Sequence, residues 1–136
     1  MDPIFTKLNY REGQSIYVVQ PPKIFEDILA TLTQGTTVKK QVEPHDEVEF
    51  VLVFADRRAT VEEMARSISP HLKGDAIFWV AYPKGTSKKY TCDFNRDTSW
   101  EIMAPYHLVP VRQISIDADW SALRFRKPEY VISRKA

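Results

Sequence analysis

The sequence predicts an α/β fold: a three-layer, Rossmann-like sandwich around a mainly parallel sheet, with an antiparallel hairpin at its carboxyl end. Three observations carry this. Three apolar runs, at residues 16–20, 48–54 and 76–82, have the continuous hydrophobicity of strands buried on both faces. The stretches between them place apolar residues at helical spacing. Two late runs, 109–116 and 120–126, are separated by a short polar link, which is hairpin spacing. Alternating strands and helices imply a parallel sheet with helices on its faces. A length of 136 residues fits a single domain. Its core is expected over residues 14–127, with 128–136 as a flexible or edge tail.

Taken in order, residues 1–15 read as a mixed lead-in ending at Gly13. Ile16-Tyr17-Val18-Val19 is the first strand, and Gln20-Pro21-Pro22 ends it because proline cannot donate to a ladder. Ile24, Phe25, Ile28, Leu29 and Leu32 share one helical face, and Gly35 closes that helix. Residues 37–42 read as an edge strand guarded by lysines, and Pro44-His45-Asp46 as a turn. A polar Asp56-Arg57-Arg58 follows the second buried run. A helix is expected over 60–72, started by the capping-box spacing of Thr60 and Glu63. Its apolar stripe is Val61, Met64, Ala65, Ile68 and Leu72, and Gly74 follows its end. The third buried run leads into a polar loop at 83–89. A third helix should open near 93–98 and run through Trp100, Met103 and Ala104 until Pro105 ends or kinks it.

Composition narrows the function. A formal charge of +1 gives no global case for nucleic acid or an anionic membrane. The apolar runs are too short to span a bilayer. The lone cysteine, Cys92, rules out an internal disulfide and suits a reducing compartment. The first residues lack a basic start and an apolar stretch, so no signal peptide is read there. The expected location is the cytoplasm.

The most suggestive stretch is Pro83-Lys84-Gly85-Thr86-Ser87-Lys88. It lies just past the carboxyl end of a buried strand, where open α/β sheets hold ligands. Lysine supplies charge, hydroxyls supply donors and glycine permits close approach, the means by which a loop holds an anion. The first glycine of a P-loop is missing. Arg96, at the start of the third helix, is expected to face the same place. The expected ligand site is therefore Lys84, Gly85, Ser87, Lys88 and Arg96, beside Gln20 and Asp56-Arg57. The competing account makes Lys84 a structural lock paired with Asp117 or Asp56, and Asp93, Asn95 or Asp97 an ordinary helix cap.

The first strand-to-helix turn carries no glycines. Dinucleotide and S-adenosylmethionine (SAM) folds want them there, and Pro21 and Pro22 remove two N–H donors. His45, His71 and His107 share no ligand spacing, so no metal site is read. Cys92 has no base partner nearby. Arg124, Arg126, Lys127, Arg134 and Lys135 stand against Glu129 alone in the last stretch. A phosphate-backbone surface would use such residues, but a solvated edge strand explains them more simply.

Trp79-Val80-Ala81-Tyr82-Pro83-Lys84-Gly85-Thr86-Ser87-Lys88, Asp93-Phe94-Asn95-Arg96-Asp97, residues 110–117 and Trp120-Ser121-Ala122-Leu123-Arg124-Phe125 together resemble a small bacterial family of domains of unknown function. The resemblance implies that the Lys84 loop and a second motif, Asp117, Trp120, Ser121 and Arg124, belong together, as a shared site or a shared lock. The element order also resembles the later half of Rossmann-like methyltransferases. Its glycine-rich turn, and an acid closing the second strand to hold a ribose, are not identifiable.

The expected function is thus a non-catalytic domain that binds a small anion or a protein partner, with no cofactor and no metal. A degenerate methyltransferase-like enzyme and a nucleic-acid-binding module are the alternatives. Strand edges at Val38 and at the hairpin leave a homodimer open.

Overall fold

β3 (Val48–Phe54) and β4 (Leu72–Pro83) run parallel at the middle of the sheet, and every residue of β3 except Glu49 is buried. The structure, a computed structural model, describes residues 2–11, 15–32 and 36–132. Gly13, Gly35, Arg134 and Lys135 lie outside the described residues. β1 (Ile16–Val19) lies parallel beside β3, and the two-residue β2 (Val38–Lys39) lies parallel outside β1. β6 (Trp120–Arg126) runs antiparallel to β4, and β5 (Val109–Ser115) antiparallel to β6. The order β2-β1-β3-β4-β6-β5 is the expected parallel centre with a hairpin on one side.

The two faces alternate along each strand, as the pleat requires. On one face α1 (Ile4–Lys7) and α2 (Lys23–Leu29) cover Phe50, Leu52, Phe54 and Trp79 with Phe5, Leu8, Phe25 and Leu29. On the other, α3 (Arg58–Ile68) and α4 (Arg96–Met103) cover Val51, Val53, Phe78 and Val80 with Val61, Ala65, Ile68 and Met103. Each fully buried large side chain contributes about 1.5–3 kcal/mol relative to exposure. Because α2 follows β1 on one face and α3 follows β3 on the other, the sheet has its switch point between β1 and β3. The carboxyl ends of those strands form the crevice where such sheets bind ligands.

Several expectations change. The lead-in is not patternless: Ile4, Phe5 and Leu8 are buried, and the Trp79 indole N–H donates to Leu8 O at 2.8 Å. A single helical turn is too short to show a period. The helix expected over 60–72 spans Arg58–Ile68 instead. Pro70, in a 3-10 turn over Ser69–His71, stops it, since proline clashes with the preceding turn. Leu72 therefore opens β4, and Gly74 adopts φ +55° inside that strand rather than at a helix end. The register of β3 on β4 shifts nearby, between Val48 and Phe50. Thr60 makes no cap; the N–H of Arg58 is taken by Asp93 Oδ1 at 2.5 Å, from a loop far along the chain. In α2, Ile24 is 54% exposed and only Phe25 and Leu29 of the expected stripe are fully covered. The strand holding Arg124 and Arg126 is not a solvated edge: β6 sits between β4 and β5. Where little pattern was expected, α5 (Pro128–Ile132) forms.

Candidate functional site

The loop after β4 is fastened to the β5–β6 turn. The backbone N–H of Lys84 donates to Asp119 O at 2.8 Å, and Lys84 Nζ donates to Ser115 Oγ at 2.6 Å. Ser87 Oγ donates to Asp119 Oδ1 at 2.9 Å and accepts from the N–H groups of Lys89 and Tyr90 at 3.2 Å each. Asp117 Oδ1 in turn accepts from the N–H groups of Asp119 and Trp120. The two motifs that the sequence set side by side thus meet through Asp119. The Lys84 amine pairs with a neutral hydroxyl, not with Asp117 or Asp56, and no carboxylate among the described residues lies within ion-pair distance of it.

Beyond that fastening the chain closes the crevice with its own side chains. Tyr90 packs at a tilt against Trp120, ring centroids 5.0 Å apart, and Trp120 meets Phe54 edge-on at 5.1 Å. The Trp120 indole N–H is buried and finds no acceptor among the described residues. Two hollows remain, one on each side of Tyr90. One, about 320 Å³, is lined by Lys84, Gly85, Ser87, Cys92, Asn95 and neighbours. A Cβ on Gly85 would meet nothing within 4 Å, so the backbone is open to approach there. The other, about 210 Å³, lies at the switch point between Gln20, Pro22, Phe54, Ala55, Asp56, Tyr90 and Trp120.

Not every expected residue arrives at this place. Arg96 is exposed, reaches its own neighbour Asp97 at 3.8 Å, and lines a separate hollow with Trp100 and Arg112. Lys88 is exposed on the loop. Ser121 is buried in the sheet opposite Tyr82 and Ser115. Arg124 stands four residues along β6 from Trp120, about 13 Å away at strand rise. Asn95 caps α4 by accepting from the Thr98 N–H, as the plainer account expected, while Asp93 caps α3 instead of its own helix. Tyr90, the wedge between the hollows, was not singled out in the sequence, and an exposed-looking tyrosine in a polar loop gives no signal for that role.

Cys92 lines the hollow beside Lys84. Burial pushes the Cys92 thiol up, its bond with the Phe94 backbone partly draws it back, and nearby Asp93 and Asp56 push with burial. A thiol so held is a poor nucleophile. Among the described residues no three His, Cys, Asp or Glu side chains gather as metal ligands.

The strand order and the closing antiparallel hairpin define a Rossmann-like α/β fold, and solved structures share it. LepI in complex with SAM matches with a TM-score of 0.53 at 14% identity, over 91% of this chain and 39% of that one. The N-methyltransferase NodS from Bradyrhizobium japonicum WM9 matches at 0.54 and 12% identity, over 83% of this chain and 73% of its own. A structure described as a putative methyltransferase from Thermoplasma acidophilum matches at 0.56 and 8% identity, over 93% and 75%. This chain therefore spans about two-fifths of LepI. No family model and no curated protein matches the sequence.

LepI is solved with SAM; the turn at the switch point of this chain carries prolines where a glycine-rich turn would stand. Pro21 and Pro22 offer no N–H, Gln20 turns the chain at φ +55°, and α2 starts with no side-chain cap. The hollow of about 210 Å³ is below the usual range for a drug-sized ligand, about 300–1,000 Å³. Lys40 and Gln41, not a carboxylate, follow β2.

Proposed function

We propose that this chain is a non-catalytic binding domain on a methyltransferase-like frame, taking a small anion at the Lys84 hollow in place of SAM at the switch point. The observation that carries the reading is the crevice narrowed to about 210 Å³ between Phe54, Tyr90 and Trp120 behind a proline turn. In support, Lys84 brings a charge that no carboxylate among the described residues answers, and Gly85 leaves open backbone beside it. Ser87 and Lys88 complete the loop's polar edge. A second reading, a methyltransferase-like enzyme, draws on the likeness to SAM-bound LepI and to NodS.

Calorimetry with SAM separates the two. The expected result is no binding up to millimolar concentration. Binding near a micromolar dissociation constant, about 8 kcal/mol, overturns the proposal. A thermal-shift screen of small carboxylates and phosphates then looks for the anion, and Lys84→Ala should abolish the shift while leaving the melting temperature of the unliganded chain nearly unchanged. A lower melting temperature without any ligand would make Lys84 a lock alone.

A further inference from the structure

Of the three tryptophans, Trp79 and Trp120 are buried, whereas Trp100 stands 55% exposed on α4. An indole left in water forgoes much of what burying an aromatic ring gains. Val111, on β5, is exposed as well, and both residues line one hollow of about 350 Å³ between α4 and β5. Pro110 and the buried Leu123 extend its apolar wall. The exposure of Val111 has a cause in the ladder. The register of β5 on β6 shifts between Pro110 and Arg112, which makes Val111 the extra residue of a bulge, and a bulge re-aims a side chain.

β5 is also the last strand on its side of the sheet, but a further strand finds little to pair with there. Pro110 has no N–H, and Ser115 O already accepts from Lys7 Nζ at 2.8 Å. The Ile116 N–H turns inward to Trp120 O at 2.9 Å, so the two-residue alternation turns Ile114 inward too and faces the backbone of Gln113 outward. That open stretch is too short for a ladder. What α4 and β5 offer together is a side-chain surface.

Its charges choose the occupant. Arg96, Asp97, Trp100 and Glu101 fall on successive turns of one exposed helix face. With Arg112 from β5, two arginines stand beside two carboxylates, so the face favours neither an acidic nor a basic partner. Arg96 reaches only its neighbour Asp97, at 3.8 Å, and Glu101 makes no ion pair among the described residues. A patch of this kind complements itself. Two copies of α4 laid antiparallel about a two-fold axis bring Arg96 of each towards Glu101 of the other, with Trp100 between the two pairs.

We propose that the α4–β5 face is the interface of a homodimer, in which Trp100 of each copy is seated in the apolar hollow of the other and Arg96 pairs with Glu101 across the two-fold axis. Exposed tryptophan and arginine are the residue types that carry most binding energy at such contacts. The proposal does not rest on the anion site, because Lys84 lines a different hollow.

The test is sedimentation equilibrium from about 1 μM to about 1 mM. It uses the wild-type chain, Trp100→Ala, Arg96→Glu, Arg96→Glu with Glu101→Arg, and Lys84→Ala. The wild type should pass from monomer to dimer, and Lys84→Ala should do the same. Trp100→Ala and Arg96→Glu should each weaken the dimer by about tenfold or more. The double exchange should restore it, since it only swaps the two ends of the ion pair. An acid at the start of α4 and a base near its end both suit the helix dipole, so the exchange leaves the helix intact. Acrylamide quenching of the wild type gives a second reading that needs no variant. Trp100 is the accessible indole, so quenching should fall as the dimer forms. A monomer at every concentration overturns the proposal and leaves this face to a different chain. A dimer that Trp100→Ala does not weaken, or that forms with quenching unchanged, also overturns it and moves the contact elsewhere, such as the β2 edge at Val38. A double exchange no tighter than Arg96→Glu removes the two-fold pairing.

Discussion

At the scale of single residues, Asp46 shows how a turn acquires a charge requirement. Its carboxylate accepts from the Glu43 N–H at 2.9 Å and from Lys39 Nζ at 3.1 Å, and its carbonyl accepts from the His71 ring at 2.9 Å. The Glu43 amide, and then Lys39, hold the Asp46 carboxyl below the ordinary carboxylate range against the opposing effect of desolvation. Tyr17 is pushed up, first by burial and then by Asp46, and Lys39 is raised by its bond to Asp46, so the three side chains act as a group. A depressed folded-state value means stability that is present above the unfolded value, about 3.9, and is lost as pH falls through the folded one. Asp46→Asn is therefore expected to lower the denaturant midpoint at pH 7, with the gap from the wild type closing below about pH 4. A gap of the same size at pH 3 would assign the effect to shape rather than charge. Pro44-His45-Asp46 was legible as a turn from its residue types. The partners that make Asp46 matter come from Tyr17, Lys39 and His71, which no local pattern connects.

At the scale of elements, α3 and α4 divide what the sequence offered as a single cap. Asp93 and Asn95 are two residues apart, yet Asp93 closes the start of α3 and Asn95 the start of α4. Asp93→Ala should cost about 1 kcal/mol, the usual worth of a cap. It should speed amide exchange in the first turn of α3, while Asn95→Ala does the same in α4. Exchange quickened in α4 by Asp93→Ala would reverse that assignment. The elements read correctly were those with long periods of their own: β3 was predicted at its observed bounds, and the hairpin strands to within a residue. The errors fell where a distant residue or a single proline decides. Pro70 ends α3 before Leu72, and α1 is one turn whose apolar residues become core only because Trp79 and Phe25 lie beneath them.

At the scale of the molecule, β3 and β4 form the centre on which both faces pack, while β2 contributes two residues at an edge. Native-state exchange should accordingly be slowest at residues 50–53 and 78–81 and fastest in β2, because local opening leaves the buried centre until last. Comparable rates in β2 and β3 would contradict the packing described. Of the candidate site, the pairing of the Lys84 loop with the Asp117 turn came from the family resemblance alone; the bond of Ser87 to Asp119 that joins them carries no signal in the sequence. The separate position of Arg96 was not legible either, since it depends on which elements become neighbours. Those long-range ties also bear on how the chain is made. Arg58 waits 35 residues for the carboxylate that finishes its helix, and Lys7 waits 108 for the Ser115 carbonyl it binds at 2.8 Å. On a ribosome adding about 5–20 residues per second, α3 emerges seconds before its cap, and the first turn of the chain lacks its tie to Ser115 until almost the last strand is out. A nascent chain stalled before Asp93 would present an uncapped α3 and a bare edge of β4, as a client for a chaperone rather than a folded half.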